Sequence, residues 1–383
     1  MACASCSRFS VDGCFSLTLD RFLLARLHVD TLVDQTTRKG LRATLAKIKK
    51  GSEGLDLAYK DALDRIDGQS NNHRKLAKQA LCWISFAQRP ITTNELCHAL
   101  AIEPGESALD QDNMTDTRVI VSVCAGLVTV DKESSIIRLV HYTTQEYFQR
   151  VRLKWNPGTQ EEIAASCLTY LSFETFKSGS CPSDKTFEHR LAENQFFDYS
   201  ARHWSEHVRP VERCTSTCNL ALDFLSNVAF VNATIQAASM RSYKYSGYSG
   251  GFPSRTTGLH LTARYGLLHL TERLLPGEHE ESNTVVDSKD TYGRTPLSWA
   301  AEQGHEAVVK LLVETGKVDV DSKDTDGWTS LWWAAAGGHE AVVKLLVETG
   351  KVDVDFKDTD GRRPLWWAAE GREAVVKLLR GEI

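Results

Sequence analysis

The stretch His305-Glu-Ala-Val-Val-Lys-Leu-Leu-Val-Glu-Thr-Gly-Lys-Val-Asp-Val-Asp321 recurs unchanged as His339 to Asp355, at an offset of 34 residues. A shorter copy follows at Arg372-Glu-Ala-Val-Val-Lys-Leu-Leu379. Self-similarity at a period of roughly 20 to 50 residues marks a solenoid of stacked units. Each copy opens on a polar turn: Asp290-Thr-Tyr-Gly293, Asp324-Thr-Asp-Gly327 and Asp358-Thr-Asp-Gly361. Glycine takes positive φ there, and the aspartate side chain bonds its local backbone. Thr295 then caps a helix, and Pro296 fits the first turn, where its missing N–H had no partner anyway. Ala300 and Ala301 let two helices approach closely. Gly304 and Gly338 end the first helix of a unit. The second helix carries Val308, Val309, Leu311 and Leu312 on one side and stops at Gly316.

Gly293-Arg-Thr-Pro-Leu-Ser-Trp-Ala-Ala301 resembles the ankyrin repeat, whose signature is Thr-Pro-Leu-His-x-Ala. Later copies drift to Thr329-Ser-Leu-Trp-Trp-Ala334 and Arg363-Pro-Leu-Trp-Trp-Ala368, and a weaker one precedes at Thr257-Gly-Leu-His-Leu-Thr-Ala263. About four repeats are expected over residues 257–383. The last lacks a loop residue, with Glu370-Gly-Arg-Glu373 in place of Glu302-Gln-Gly-His-Glu306. One unit cannot bury its apolar face alone, so the copies must stack. Inter-repeat packing is the expected role of Trp299, Trp333 and Trp367, which share one helix position, in preference to a binding role for the Trp cluster that also holds Trp332 and Trp366.

The resemblance also indicates where a partner binds. Turn tips and exposed first-helix ends line the concave face of such arrays. In this chain those positions are Thr291, Tyr292 and Arg294; Thr325, Asp326 and Trp328; Thr359, Asp360 and Arg362; with Glu302, Gln303, Ala336 and Gly337. Trp328 is the expected anchor, a large aromatic at a turn tip with no core to fill.

Across all 383 residues the composition is ordinary for a globular chain: 42% hydrophobic, 25% charged, net charge −5. That balance gives no overall basic field for nucleic acid or anionic membrane. No apolar run approaches the roughly 20 residues of a membrane span. The start, Met1-Ala-Cys-Ala-Ser-Cys-Ser-Arg8, lacks the basic-then-apolar pattern of a signal peptide. A cytoplasmic location with reduced thiols is therefore the expectation.

Residues 1–21 read as a disordered N-terminus, and Cys3, Cys6 and Cys14 lack the partners for a four-ligand zinc site. Residues 22–70 read as a helical segment, with one helix from Phe22 to Lys50 and another around Leu55, Tyr59, Ala62, Leu63 and Ile66. Over 71–155 three helices are followed by a hairpin, Leu127–Val130 and Ile136–Val140, which is a winged-helix pattern. The third helix, expected over Asp116–Gly126, carries one basic residue. A DNA reader needs more, so protein packing is expected and no nucleic acid. Residues 156–240 form a helical domain, and 241–256, rich in Ser, Gly and Tyr, reads as a linker.

Leu55-Asp-Leu-Ala-Tyr59, Ala62-Leu-Asp-Arg-Ile66, Trp83-Ile-Ser85, Arg89-Pro90 with Glu95-Leu96, Cys124-Ala-Gly-Leu-Val128 and Leu139-Val-His-Tyr-Thr-Thr-Gln-Glu-Tyr-Phe148 resemble fungal NACHT–ankyrin proteins of the STAND type. Those are signalling NTPases with a helical and winged-helix segment ahead of ankyrin repeats. The likeness covers roughly residues 22–383, on motif reading. It implies the sensor-side part of such a protein. The phosphate-binding pattern G-x-x-x-x-G-K-[ST] is absent, and Thr315-Gly316-Lys317 is a repeat C-cap. The expectation is a mainly α, non-enzymatic interaction scaffold without cofactor or metal. The alternative is a fragment of a NACHT-type regulatory NTPase.

Two patterns offer other chemistry. Gly247-Tyr-Ser-Gly-Gly251 matches G-x-S-x-G but lacks the strand before and the helix after that a nucleophile elbow needs. His203 and His207 share a helix face, with Cys214 and Cys218 following, a ligand set zinc accepts. Trp204 between the histidines points instead to a packed helix.

Overall fold

The computed structural model describes residues 37–40, 42, 52–240, 245–276, 286–368 and 373–381. The N-terminal stretch 1–21 with its three cysteines, and most of the helix expected over 22–50, lie outside the described residues. The chain divides into two compact units: Met1–Ile102 with Asp110–Thr159, and Glu103–Leu109 with Gln160–Ile383.

In the first unit α1 (Ser52–Asp67) and α2 (Asn71–Phe86) pack through the expected apolar positions; Tyr59, Ala62, Ile66, Ala80, Leu81 and Trp83 are buried. Pro90 stops α2, and β1 (Ile91–Thr92) follows, a strand the sequence did not advertise. Thr92 then caps α3 (Thr93–Leu100) in a reciprocal box: the Glu95 N–H donates to Thr92 Oγ1 at 3.3 Å, and the Thr92 N–H to Glu95 Oε2 at 2.8 Å. The third helix, α4 (Thr117–Val123), is shorter than expected. Ala125 and Gly126 both take positive φ, 49° and 79°, which ends the helix and turns the chain into the wing. That wing is β2 (Val128–Val130) and β3 (Ile136–Leu139), and the antiparallel sheet has the order β1-β3-β2. Cys124 is buried at this corner, and desolvation pushes its thiol up to about 12, so it packs as an inert apolar group.

The Leu139–Phe148 run has a mechanical reason. It opens α5 (Tyr142–Trp155) and ties it to both earlier helices. Thr143 Oγ1 lies 2.6 Å from Tyr59 Oη and 2.9 Å from His141 Nδ1. The Gln145 amide donates to the Ser85 carbonyl, and Arg150 pairs with Asp56 at 2.6 Å.

The second unit opens with α6 (Thr159–Leu171), α7 (Asp184–Glu193) and α8 (Phe197–Val208). Their core is aromatic: Phe176 stacks on Phe197 at 4.2 Å, and Tyr170 meets Phe173 and Phe196. Tyr199 and Phe224 are fully buried, and so is Trp204, as the packed-helix reading expected. The apolar stretch at the end of the helical domain is two helices, α9 (Thr215–Ser226) and α10 (Val228–Ser239), bent by 90°. Asn227 makes the break, its side chain accepting from the N–H groups of Ala229 and Phe230.

The expected linker is not a free tether. Its described part, 245–256, is clamped by Asp184, which accepts from the N–H of Gly247 at 2.7 Å and from the N–H and Oγ of Ser249 at 2.9 and 2.6 Å. Tyr248, Ser249 and Phe252 are buried. Ser249 is thus a structural hydroxyl, with no nucleophile elbow around it. The repeats follow without a domain boundary: α11 (Gly258–Tyr265) and α12 (Leu268–Leu274), α13 (Pro296–Glu302) and α14 (Glu306–Glu314), α15 (Ser330–Gly337) and α16 (Glu340–Glu348), α17 (Pro364–Ala368) and α18 (Glu373–Leu379). The helical segment and the array, expected as separate domains, are one unit because α9 and α8 cover the first repeat. Gly258 sits so close to α9 that a Cβ there would lie 2.4 Å from the Leu225 carbonyl oxygen. Trp204 meets Tyr265 edge-on at 5.7 Å, and Arg209 donates to the Tyr265 carbonyl at 2.6 Å. The array thereby gains the end cover that a solenoid's first repeat requires. Its continuous core runs through Leu259, Leu297 and Leu331 of the first helices and Val309, Leu312, Val343 and Leu346 of the second.

Candidate protein-interaction surface

The turn tips are held by one repeated carboxylate. Asp290 Oδ1 accepts from the N–H groups of Tyr292 and Arg294 at 2.8 and 3.0 Å. Asp324 does the same for Asp326 and Trp328, and Asp358 for Asp360 and Arg362. The other oxygen reaches a first-helix indole: Trp299 Nε1 donates to Asp290 at 3.1 Å and Trp333 Nε1 to Asp324 at 3.0 Å. Burial holds the Asp324 carboxyl above its ordinary range, against the opposing pull of the hydrogen bonds from Trp328 and Trp333. The Asp-x-x-Gly pattern carried the turn in the sequence; the second bond, to a tryptophan nine residues on, did not show there.

Neighbouring tips are linked backbone to backbone. The Thr291 N–H donates to the Ser254 carbonyl, Thr325 to Tyr292 and Thr359 to Asp326, at 3.0, 2.9 and 3.2 Å. Behind them histidines join successive repeats: His305 Nε2 lies 2.9 Å from the Arg264 carbonyl and His339 Nε2 2.9 Å from the Glu302 carbonyl. Gly304 and Gly337 leave room for His339, whose ring atoms would lie 2.4 Å from a Cβ at either position.

This frame sorts the candidate contact residues. Thr291, Tyr292, Gln303, Thr325, Asp326, Thr359, Asp360 and Gly337 are exposed. Ala336, Glu302, Trp328 and Arg362 are half-buried. Arg294 does not project as a free contact: its side chain is 13% exposed. Its guanidinium lies 4.5 Å from the Trp299 ring centre and 5.8 Å from that of Trp333, while pairing with Asp290 and Glu302. Packing explains the difference, since the two indoles form a slot that one planar cation fills. Gly337 is required by the clearance around His339.

Trp328 also departs from expectation. It has something to pack on, stacking on Trp332 at 3.8 Å and meeting Trp333 edge-on at 4.7 Å. Trp332 is buried and Trp333 half-buried. Trp299 is fully buried, as its shared helix position suggested; the side chain of Trp367 lies outside the described residues. Among the described residues of the array the most exposed aromatics are Trp366 at 58% and Tyr292 at 41%.

The zinc alternative does not assemble. His207 is buried against the Tyr199 hydroxyl at 2.8 Å, and His203 faces Glu206. Cys218 is buried beside Arg273, and Cys214 bonds Ser216. Among the described residues no group of three or more His, Cys, Asp or Glu could hold a metal ion. On the winged-helix unit, Arg118 is the one basic residue of α4, and Asp116 holds it with both carboxylate oxygens, the shortest contact 2.7 Å. Among the described residues no single helix is long and apolar enough to cross a membrane.

Comparison with known families agrees with this architecture. Residues 64–163 match the winged helix domain of GPI inositol-deacylase. Residues 236–324 and 316–382 match ankyrin repeats. No curated protein matches the chain. The chain therefore carries a winged-helix domain of the GPI-inositol-deacylase type followed by an ankyrin-repeat array.

Proposed function

We propose that the chain is a non-catalytic scaffold whose ankyrin array binds a polypeptide across its turn tips and first-helix ends. Ankyrin repeats are protein-interaction modules in general. The observation that carries the reading to the array is a pair of exposed aromatics, Tyr292 at a turn tip and Trp366 on the first helix of the last repeat. Large aromatics left in water beside polar neighbours are the usual anchors of an interface. The winged-helix unit ahead of the repeats supports placing the chain with NACHT–ankyrin signalling proteins, acting in the cytoplasm. Its neutralised α4 supports a packing role rather than DNA reading.

Selection of a random displayed-peptide library on the full chain tests this. Enriched peptides should lose at least tenfold in affinity on the Tyr292→Ala, Trp366→Ala double variant, with an unchanged melting temperature. Enriched peptides that bind the double variant equally well would place the interface elsewhere. Titration with ATP and magnesium tests the non-catalytic reading: no binding is expected, and hydrolysis by this chain would overturn it.

A further inference from the structure

The exact repeat has an electrostatic consequence on the second helices. A groove of about 850 Å³ runs between α14 and α16, and none of its lining residues belongs to the surface proposed above. Both helices read Glu-Ala-Val-Val-Lys-Leu-Leu-Val-Glu. Charges four residues apart fall on one helix face, so each helix lines the groove with glutamate, lysine and glutamate in that order. Because the two segments are identical, each charge has its own kind on the opposite wall: Glu306 and Glu340, Lys310 and Lys344, Glu314 and Glu348. Like charges held side by side repel. Lys310 reaches Glu314 only at 3.8 Å, with the two side chains 64% and 63% exposed. Among the described residues Glu340, Lys344 and Glu348 make no ion pair. Glu314 and Glu348 also close the C-terminal ends of their helices, where the helix dipole disfavours a carboxylate. Val313 and Leu345, half-buried and packed on the core of the array, give the groove an apolar floor.

We propose that this groove docks an amphipathic helix of a partner protein, one that carries a cation, an anion and a cation at four-residue intervals beside an apolar stripe. It is a second docking surface, independent of the reading at the turn tips. The groove presents four carboxylates against two ammonium groups, so its electrostatic complement is net basic. A helix laid along α14 and α16 rises as they do, by about 1.5 Å per residue. Charges spaced as theirs therefore stay matched over the roughly 12 Å from Glu306 to Glu314. Each partner cation sits between two glutamates and replaces one repulsion with two attractions; the partner anion does the same between Lys310 and Lys344. Leucine-like side chains beside those charges cover Val313 and Leu345, the usual way a helix lies in a groove. The demand for a cation is greatest between Glu314 and Glu348, where the helix ends add to the repulsion.

The test uses the full chain and two synthetic probes: Ac-Ala-Gln-Ala-Lys-Leu-Ala-Gln-Glu-Leu-Ala-Gln-Lys-Leu-Ala-Gln-Ala-amide and its counterpart with the sign of every charge exchanged. Calorimetry at low salt should show the first probe binding and the sign-exchanged probe at least tenfold weaker. The Glu314→Lys, Glu348→Lys double variant should weaken the first probe at least tenfold. Lysine suits the last turn of a helix, so its melting temperature should not fall. Glu314→Gln with Glu348→Gln decides the matter if the lysine pair does not fold. The Glu103→Lys, Glu133→Lys double variant makes the same change in net charge outside the array and should leave the affinity unchanged. No binding of the first probe, equal binding of the two probes, or equal losses from the two lysine double variants would overturn the groove. If the probe loses affinity on the Tyr292→Ala, Trp366→Ala double variant and keeps it on the groove variants, the reading at the turn tips stands and this one falls.

Discussion

Asp290 shows how much one side chain can carry. It is 4% exposed and accepts from two backbone N–H groups, an indole and a guanidinium. Asp290→Ala leaves those donors unmatched in a buried site, and the expected loss is about 3 kcal/mol in urea unfolding. Two histidines make the fold acid-sensitive. Burial lowers His207 and His260 to about 4, from an ordinary 6.5. The unfolded chain takes up those protons as pH falls below about 6.5, whereas the folded chain resists until near pH 4, so stability declines through that window. For His207 the decline is roughly 3 kcal/mol. His260 adds a geometric reason: its Nδ1 accepts from the Thr257 N–H at 3.2 Å, a role the protonated ring loses. His207→Gln should flatten the fall in melting temperature between pH 6.5 and 4.

At the scale of the element, the exact repeat made the ankyrin hairpins legible, because turn, cap and apolar stripe all recur in register. The capping box of Thr92 and Glu95 is local in the same way, its two members three residues apart. What stayed hidden depends on partners far along the chain. β1 is two residues long and exists because β3 pairs with it. The break at Asn227 sits inside an apolar run with no proline or glycine to mark it. The stretch 245–256 has a linker's composition, yet Asp184, some sixty residues earlier, fixes it. At the candidate surface the tip positions were readable from the period, but the burial of Arg294 was not, since two indoles from different repeats create its slot. Gly258 marks the seam between helical segment and array. Gly258→Ala should drive a methyl into the Leu225 carbonyl, and hydrogen exchange should rise across α11 and α12 before the rest of the unit opens.

For the whole molecule, the helical segment and repeats of the second unit share one core at their junction, so they should unfold together. Removing residues 160–240 exposes the α11 face that α9 covers. The isolated 245–383 fragment should therefore melt well below the full chain or aggregate, as calorimetry and light scattering can show. Retention of the full chain's melting behaviour by that fragment would mean the cover is dispensable.

The backbone links between tips have an evolutionary implication. The tips at Thr325 and Thr359 each donate a backbone N–H to the tip before, through groups that every amino acid but proline possesses. An additional 34-residue segment spliced in at His339 would meet the same groups on both sides and seat itself without new chemistry. Insertions of other lengths would break the alternation of donors and acceptors. Seventeen identical residues in tandem are the kind of template on which recombination slips, so chains differing in length by whole multiples of this segment should all be foldable.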